Sequence, residues 1–588
     1  MCGIFGYIGK KNAVKESLLG LEKLEYRGYD SAGLAFFNKN NEIEMIKEVG
    51  AVENLKKQAN SKASKIAIAH TRWATHGKAN KTNCHPHSSE NFVVVHNGII
   101  ENYCELKKEI NEELYSETDS EIIAKLLNKH FKNQEKNKNI EEKILNSIKE
   151  TSKAMKGSWA VALICKQDPK SIYILKNKSP IVVFQDEEGT YVSSDINAIN
   201  SKNNEKMCYY SLKNNNFAKI NQKSIKFFDE NLKNIELKKI KKQNNEIKEN
   251  TNFKHNMLKE INEIPQAILE TKKRIVNTSF KKFVKMFSNF SSITIVGCGT
   301  AYHAGLYGKF VFENMLCKKV SVELASEFRY KKQIPEKNHL VLAISQSGET
   351  ADTIAAVEIA KQNGATTAVI TNVSGSTITR LCDFVFLTRA GQEVAVAATK
   401  SYVCQVFVLY RLACSISKTR LSGGLWKKAE KGLEKFNKNE IERFFKYEKF
   451  FFIGRQCDSS TALEGSLKIK EISYVQSEGY SAGELKHGTL SLVDEKSLVV
   501  AIITQENIKE KTLNAIHEVN ARGAKVLIVS QFDGLENEGI VLKIPKCFEM
   551  IIPILSIIPL QLFAYYFSVS KGLNPDKPRN LAKSVTVE

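Results

Sequence analysis

At 588 residues the chain is too long for one hydrophobic core, and its length predicts three or four domains. With 42% hydrophobic and 26% charged residues it reads as an ordinary soluble protein; the net charge of +21 comes from scattered lysines that neighbour asparagines, as in 202–206 and 238–250, without the arginine–aromatic interleaving of a base-stacking surface, so no nucleic-acid partner is expected. The twelve cysteines form no CxxC pair and no regular spacing, which argues against a zinc site or a disulfide framework and fits a reducing cytoplasm.

The chain opens Met1-Cys2-Gly3-Ile4-Phe5-Gly6, with none of the basic and then apolar character of a secretion signal. A residue as small as Cys2 permits removal of Met1, which would place a thiol and a free α-amine on one residue. An α-amine titrates near pH 8, so it can take the thiol's proton at neutral pH; Cys2 is therefore a candidate nucleophile that carries its own base. The competing reading is a cysteine buried as a small hydrophobe in an N-terminal strand.

Up to about Asp229 the pattern predicts short strands with two helices. Residues 13–24 are helical by periodicity, and 32–37, 66–70 and 92–96 are apolar strands. The segments 26–31, 70–77 and 96–99 are expected at strand ends or in loops, where catalytic groups commonly sit. A thiolate attacking a carboxamide needs donors for the developing oxyanion, and Asn97-Gly98 offers a side-chain amide and a backbone N–H, although the dipeptide is also a hairpin turn. Arg72 could hold a substrate α-carboxylate and Asp119 its α-ammonium.

Cys2-Gly3-Ile4, Glu25 to Ser31, His70 to Gly77, His85-Pro86-His87, Val95 to Gly98 and Ser116 to Asp119, taken together, resemble the glutaminase half of the glutamine:fructose-6-phosphate amidotransferase (glucosamine-6-phosphate synthase) family. The resemblance implies Cys2 as nucleophile, Asn97 and Gly98 as oxyanion hole, and Arg72, Thr75, His76 and Asp119 around glutamine. Trp73 matches the family's gating tryptophan, and Phe5 stands where many relatives carry Val.

The polar, lysine-rich stretch 221–252 lacks glycine and proline, and is expected to end the first domain and continue as a linker that is helical in part. Strand–loop–helix units then repeat. Residues 293–296 lead into Gly297-Cys298-Gly299-Thr300, and 340–344 into Ser345-Gln346-Ser347-Gly348-Glu349-Thr350; a later copy starts at 450–454, with a helix over 460–473 and a strand over 498–503. Such alternation predicts two α/β subdomains with parallel sheets. The apolar run 551–567 is interrupted by Pro553, Pro559 and Gln561 and is expected as a buried helix, not a membrane span.

Ser345, Ser347 and Thr350 gather more hydroxyls at a helix start than one cap needs, which points to phosphate binding; the corresponding Thr504-Gln505-Glu506-Asn507 adds a carboxylate, so one sugar-phosphate site per chain is expected. Glu464, Lys468 and Glu471 share a helix face, with Lys470 pointing elsewhere. Alone, that spacing also fits a surface salt-bridge face. Aldose–ketose chemistry needs a carboxylate to move a proton between C1 and C2, for which Glu471 is the candidate, an acid–base group to open the ring, for which His487 is, and an amine for a Schiff base, for which Lys583 is.

The tail 578–588 resembles the same family, which extends the likeness over essentially the whole chain. It implies an N-terminal-nucleophile αββα glutaminase sandwich (1–229), a linker (230–252), two sugar isomerase (SIS) subdomains (253–430 and 431–575) and a C-terminal tail (576–588). Thr300, Ser345, Gln346, Ser347 and Thr350 would take the phosphate, Val396 and Ala582 would line the sugar, and Glu471, Lys468, His487 and Lys583 would carry isomerisation. Ala398 and Thr489 depart from the family pattern beside that site. The implied reaction makes glucosamine 6-phosphate from glutamine and fructose 6-phosphate in a cytoplasmic homodimer, with no metal or organic cofactor and no membrane. The alternatives are a relative acting on another sugar phosphate or as a deglycase, and a sugar-phosphate sensor, against which the intact Cys2, Glu471, His487 and Lys583 argue.

Overall fold

The computed structural model describes residues 2–73, 77–110, 112–135, 137–199, 207–241, 252–334 and 336–586. The chain divides into two compact units, Met1–Asn244 together with Ser584–Glu588, and Asn245–Lys583.

Period-2 alternation builds the first unit. In the strand Gly3–Gly9, Ile4 and Ile8 point to one face while Phe5 and Tyr7 point to the other. This strand pairs antiparallel with Gly189–Ser193 on one side and Ile66–Arg72 on the other, within an eight-stranded sheet. A second, seven-stranded sheet holds Phe92–Ile100 paired to Gly157–Cys165. Ile4, Ile8, Ile66 and Ile68 of the first sheet meet Val93, Val95, Ala160 and Ile172 of the second in one apolar layer. The outer faces are covered by helices: Phe5 and Tyr7 pack with Leu18 and Leu21 of Ala13–Leu24, and Phe92 and Val94 with Ile123, Leu127 and Ile148 of Glu121–Lys132 and Ile140–Ala154. The layering is helix, sheet, sheet, helix, the expected sandwich. Phe5 lies directly on Gly20, where a Cβ would come within 2.2 Å of its ring, so the larger residue is housed by a helix glycine.

Two readings are corrected in this unit, and a third is met only over its described part. It contains five α-helices among the described residues, not two, since Val52–Ala59, Tyr103–Ile110, Glu121–Lys132 and Ile140–Ala154 join Ala13–Leu24. Lysines and asparagines fill the spaces between their buried residues and obscure the stripe. Asn97 and Gly98 sit inside the strand Phe92–Ile100, opposite Ala160 and Trp159, and not in a turn. The described part of 221–252 is extended, with strands Ile225–Phe228, Asn234–Ile235 and Ile240–Lys241; residues 242–251 lie outside the described residues.

The second unit holds two five-stranded sheets, each wholly parallel. The first runs Val320–Leu324, Ser292–Gly297, His339–Ser345, Thr366–Thr371, Phe384–Leu387, and the second Gln476–Ser481, Lys449–Gly454, Ser497–Ile503, Lys525–Ser530, Ile540–Lys543. Both therefore have the order 2-1-3-4-5, and the repeat read in the sequence is a repeat of topology. One continuous core reaches from Ile293, Leu342 and Ile370 to Phe452, Val500 and Val529 through the helices between the sheets. The helix Pro553–Ser570 belongs to this layer: it is long and apolar enough to cross a membrane, but 83% of it is buried inside the protein. Apolar on all sides, it behaves as a core helix.

Candidate active sites

Strand parity sets the first site. Cys2 precedes Gly3, which pairs with Thr71, so Cys2 falls beside Arg72 on the face that carries Ile4 and Ile8, at one end of the inter-sheet layer. The Trp73 amide donates to Cys2 Sγ at 3.4 Å, and the thiol reaches the Trp73 carbonyl at 3.6 Å. Burial pushes the thiol's pKa up, against the pull of the Trp73 backbone and Arg72. A nearby base must therefore take its proton.

Asn97 has a fixed amide orientation. His70 Nε2 lies 2.8 Å from the His96 carbonyl and 3.1 Å from Asn97 Oδ1, two acceptors that require the proton on Nε2. Asn97 Oδ1 is thereby occupied, and its Nδ2 donates to the Cys2 carbonyl at 3.0 Å, leaving one amide hydrogen for a developing oxyanion. His70 is kept neutral, its pKa pulled down to about 3 by burial, and its ring stacks on His85 at 3.9 Å. Gly98 has φ +145°, and a Cβ there would lie 1.9 Å from the Ser158 carbonyl, so this strand position admits only glycine.

Cys2, Arg72, Trp73, Gly98 and Asp119 line one opening. Arg72, buried, reaches the carbonyls of Gly77 and Lys78 at 3.2 and 3.3 Å, and Asp119, also buried, accepts from the Ile100 amide at 2.8 Å. Trp73 meets Tyr29 edge to face at 5.8 Å. Thr75 and His76 lie outside the described residues.

The second site follows from topology. In a parallel sheet of order 2-1-3-4-5, ligands bind where connections leave strands 1 and 3 in opposite directions. The loops there are Gly297–Thr300 and Ser345–Thr350. Ser345 Oγ accepts from the Gly348 amide at 3.0 Å and lies 3.1 Å from Thr350 Oγ1, while Ser347 Oγ accepts from the Glu349 amide at 3.1 Å. Gly348 has φ +67°, and a Cβ there would sit 2.1 Å from Ser376 Oγ. Thr350, at the start of the helix Ala351–Gln362, caps no helix N–H with its side chain. In the second copy, Asp458 fills the corresponding place by accepting from the Thr504 amide at 2.9 Å and from its hydroxyl. Burial raises the Asp458 carboxyl to about 7.

Beside the first switch point, the helix Cys457–Ser473 presents Glu464, Lys468 and Glu471 on one face, and Lys470 is exposed. This is a buried cluster and not a surface ladder. Lys468 Nζ donates to Glu471 Oε2 at 2.6 Å and to Thr300 Oγ1 at 3.1 Å, and lies 3.3 Å from Glu464 Oε1. Glu471 is pushed above the usual carboxylate range by burial, although Lys468 pulls the other way.

Lys583 is paired with Glu393, Nζ to Oε2 at 2.6 Å. Glu393 also accepts from the Ser401 hydroxyl at 2.6 Å and from the Thr399 and Ser401 amides, both at 3.0 Å. Burial opposes ionisation there, but Lys583 and these donors hold Glu393 down to about 2. Next to it Glu260 accepts from the amides of Val394 and Ala395, and burial with the Glu393 charge raises it to about 8. The Val396 amide donates to Asp576 O at 3.1 Å, tying the segment 393–396 to the start of the tail that carries Ala582 and Lys583.

His487 is not brought to this cluster. It ends the 3-10 turn Ala482–His487, exposed, with no hydrogen bond or ion pair to Glu471, Lys468 or Lys583 among the described residues. Sequence reasoning missed His70, His303, Glu260 and Glu393. His303 had a usable signal, one helical turn after Thr300, whereas Glu260 and Glu393 had none.

A cysteine-headed sandwich and a duplicated parallel α/β unit with a hydroxyl-lined switch point define a glutamine amidotransferase joined to a pair of SIS domains. Family models agree: residues 70–201 match a glutamine amidotransferase domain, and 286–415 and 443–571 each match a SIS domain. The chain is 41% identical over 624 aligned positions to glutamine–fructose-6-phosphate aminotransferase (isomerizing) of Clostridium tetani and 42% identical over 623 to that of Caldanaerobacter subterraneus, with all of each chain covered. The solved C-terminal domain of glucosamine-fructose-6-phosphate aminotransferase from Francisella tularensis matches 55% of this chain and 99% of its own at 33% identity, with a TM-score of 0.51. The chain belongs to the glutamine–fructose-6-phosphate aminotransferase (isomerizing) family.

Proposed function

We propose that the chain, once Met1 is removed, hydrolyses glutamine at Cys2 and uses the ammonia to convert fructose 6-phosphate into glucosamine 6-phosphate. The α-amine of Cys2 takes the thiol proton, and the sulfur attacks the γ-carboxamide carbon. Asn97 Nδ2 and the Gly98 amide receive the oxyanion, the C–N bond breaks as the ammonia leaves with a proton from the α-ammonium, and water then splits the γ-glutamyl thioester to glutamate. Arg72 and Asp119 hold the α-carboxylate and α-ammonium of glutamine, with Thr75 and His76 completing that pocket and Trp73 gating it.

In the isomerase half, Thr300, Ser345, Gln346, Ser347 and Thr350 bind the phosphate, and Val396 and Ala582 line the sugar. His487 opens the ring, and the Lys583 amine condenses with the C2 ketone, losing water. Ammonia displaces the lysine to give the C2 imine. Glu471, held by Lys468, removes a proton from C1 to give the enaminol and returns it to C2; the O1 hydroxyl gives up its proton as the C1 carbonyl forms and the C2 nitrogen becomes an amine, which leaves the amino aldose. The observation that supports this most is a buried amine, Lys583 paired with Glu393, whose charge acts on Glu471, the proton carrier that Lys468 holds at 2.6 Å.

We further propose a cytoplasmic homodimer in which His487 serves the partner's site. Its exposure here, and twelve cysteines all in the free form, support this reading. The domain limits that accompany it are 1–229, 253–430 and 431–575, with a linker between the first two and a tail from 576. The test is formation of glucosamine 6-phosphate and glutamate in equal amounts from glutamine and fructose 6-phosphate; release of a free amine from a glycated one, with no such synthesis, would overturn it. Mixing His487→Ala with Lys583→Ala chains should restore activity if sites are shared.

A further inference from the structure

Glu464 is completely buried, and its two oxygens are spoken for from another element. His303 Nδ1 lies 2.8 Å from Glu464 Oε2, and Thr300 Oγ1 donates to Glu464 Oε1 at 3.0 Å. His303 and Thr300 are one turn apart on the helix Thr300–Leu316, and Glu464, Lys468 and Glu471 lie along the facing helix Cys457–Ser473. The result is a linear chain of contacts, His303 to Glu464, Glu464 to Lys468, Lys468 to Glu471, with the last carboxylate 20% exposed and the two inner groups 0% exposed.

We propose that His303 is a positioning residue for the C1–C2 proton transfer: its hydrogen bond keeps Glu464 ionised beside Lys468, so that Lys468 divides its charge between two carboxylates and Glu471 receives only part of it. This rests on the function proposed above. One ammonium between two buried carboxylates cannot neutralise both, and a carboxylate that loses a donor in a dry site is driven towards its protonated form. If Glu464 took up a proton, Lys468 would act on Glu471 alone and hold it ionised, a weaker base for a carbon-bound proton. The balance of charges agrees. Burial disfavours ionised Glu464, but Lys468, His303 and Thr300 outweigh it, and the Glu464 charge in turn helps raise Glu471, against Lys468 and, from the tail, Lys583.

The test compares His303→Leu, which removes the donor, with His303→Asn, whose amide nitrogen can occupy the place of Nδ1. Carbon-13 NMR of labelled glutamate carboxyls, with Glu471 assigned by its loss in Glu471→Gln, reads the titration of Glu471 in the folded chain without any turnover. The midpoint should fall by about one pH unit in His303→Leu and stay at the parent value in His303→Asn. In the synthase assay, His303→Leu should lower kcat about ten-fold at unchanged KM for fructose 6-phosphate, with glutamine hydrolysis unaltered. Should His303→Leu not fold, Glu464→Gln removes the same charge and should lower the Glu471 midpoint likewise. An unmoved midpoint in His303→Leu or Glu464→Gln, or a fall in His303→Asn equal to that in His303→Leu, overturns the proposal. Absence of synthesis by the parent chain instead overturns the function on which it rests, and the NMR comparison stands apart from that result.

Discussion

Lys583 Nζ sits 2.6 Å from Glu393 Oε2 across 190 residues of sequence, with the two side chains 4% and 0% exposed. The pair fixes the amine of the tail, whose charge is near enough to act on Glu471. Lys583→Ala should abolish synthesis, and borohydride with fructose 6-phosphate should label Lys583 in the parent; labelling of a different lysine would sink the assignment. Glu393→Gln should cost stability at neutral pH, because it leaves a buried ammonium half-paired. Since Glu393 is held down to about 2 in the folded chain, below its ordinary 4.5, its contribution is present above pH 4.5 and is lost as pH falls towards 2. Melting curves of parent and variant should therefore converge on acidification.

Glu260 has the opposite sign. Burial and the neighbouring Glu393 raise its folded pKa to about 8 from 4.5, so its stabilising share is whole below pH 4.5 and drains away as pH rises towards 8. Glu260→Gln keeps an acceptor for the Val394 and Ala395 amides without the titration. At pH 7.5 the variant should melt a few degrees above its parent, and at pH 4.5 the two should coincide. A gain of the same size at both values would refute the assignment.

The thiol of Cys2 is raised by burial, so its reactivity depends on the α-amine that Met1 removal exposes. Cys2→Ala should lower glutamine hydrolysis by several orders of magnitude while fructose 6-phosphate is still isomerised slowly to glucose 6-phosphate. Adding Glu471→Gln should stop that residual reaction. A chain engineered to keep Met1 should match Cys2→Ala, as measured by glutamate release.

Gly98→Ala tests the oxyanion strand. Its Cβ would meet the Ser158 carbonyl at 1.9 Å at a φ of +145°, and the two strands would have to part. A stability loss of about 3 kcal/mol and glutaminase activity near background are expected, with the isomerase half intact. Denaturant unfolding followed at Trp159, on the facing strand, reports the first effect.

Ser347→Ala should raise KM for fructose 6-phosphate about ten-fold without changing kcat for glutamine hydrolysis, because one hydroxyl of the loop is lost and the Cys2 site is untouched. An unchanged KM would remove Ser347 from the phosphate site.

Much of this was legible because local chemistry and local structure coincide. The loop Ser345–Thr350 follows an apolar strand and opens a helix, and Glu464, Lys468 and Glu471 are spaced by helical turns, so sequence places both. Asn97 and Gly98 show where that logic fails. The dipeptide has the composition of a turn, yet it lies in a strand because glycine is needed for the approach of Ser158, a partner no local pattern reveals. Glu393 and Glu260 were invisible for a related reason: the first meets Lys583 and the second meets Val394 across long stretches of chain, at positions without periodicity. The helix Glu121–Lys132 was passed over although eight of its twelve residues are buried, since lysines and an asparagine interrupt the apolar run.

Asp458 gives the duplication its arithmetic. Two copies of one topology create two switch points, and in the second a carboxylate of the chain itself already accepts the Thr504 amide and hydroxyl, the kind of donors that a phosphate would need. A dianion would meet a buried acid there in place of open hydrogen-bond donors. The duplication therefore repeats the topology without repeating the open loop: the first copy leaves its hydroxyls at the strand end, and the second closes the equivalent donors onto its own acid.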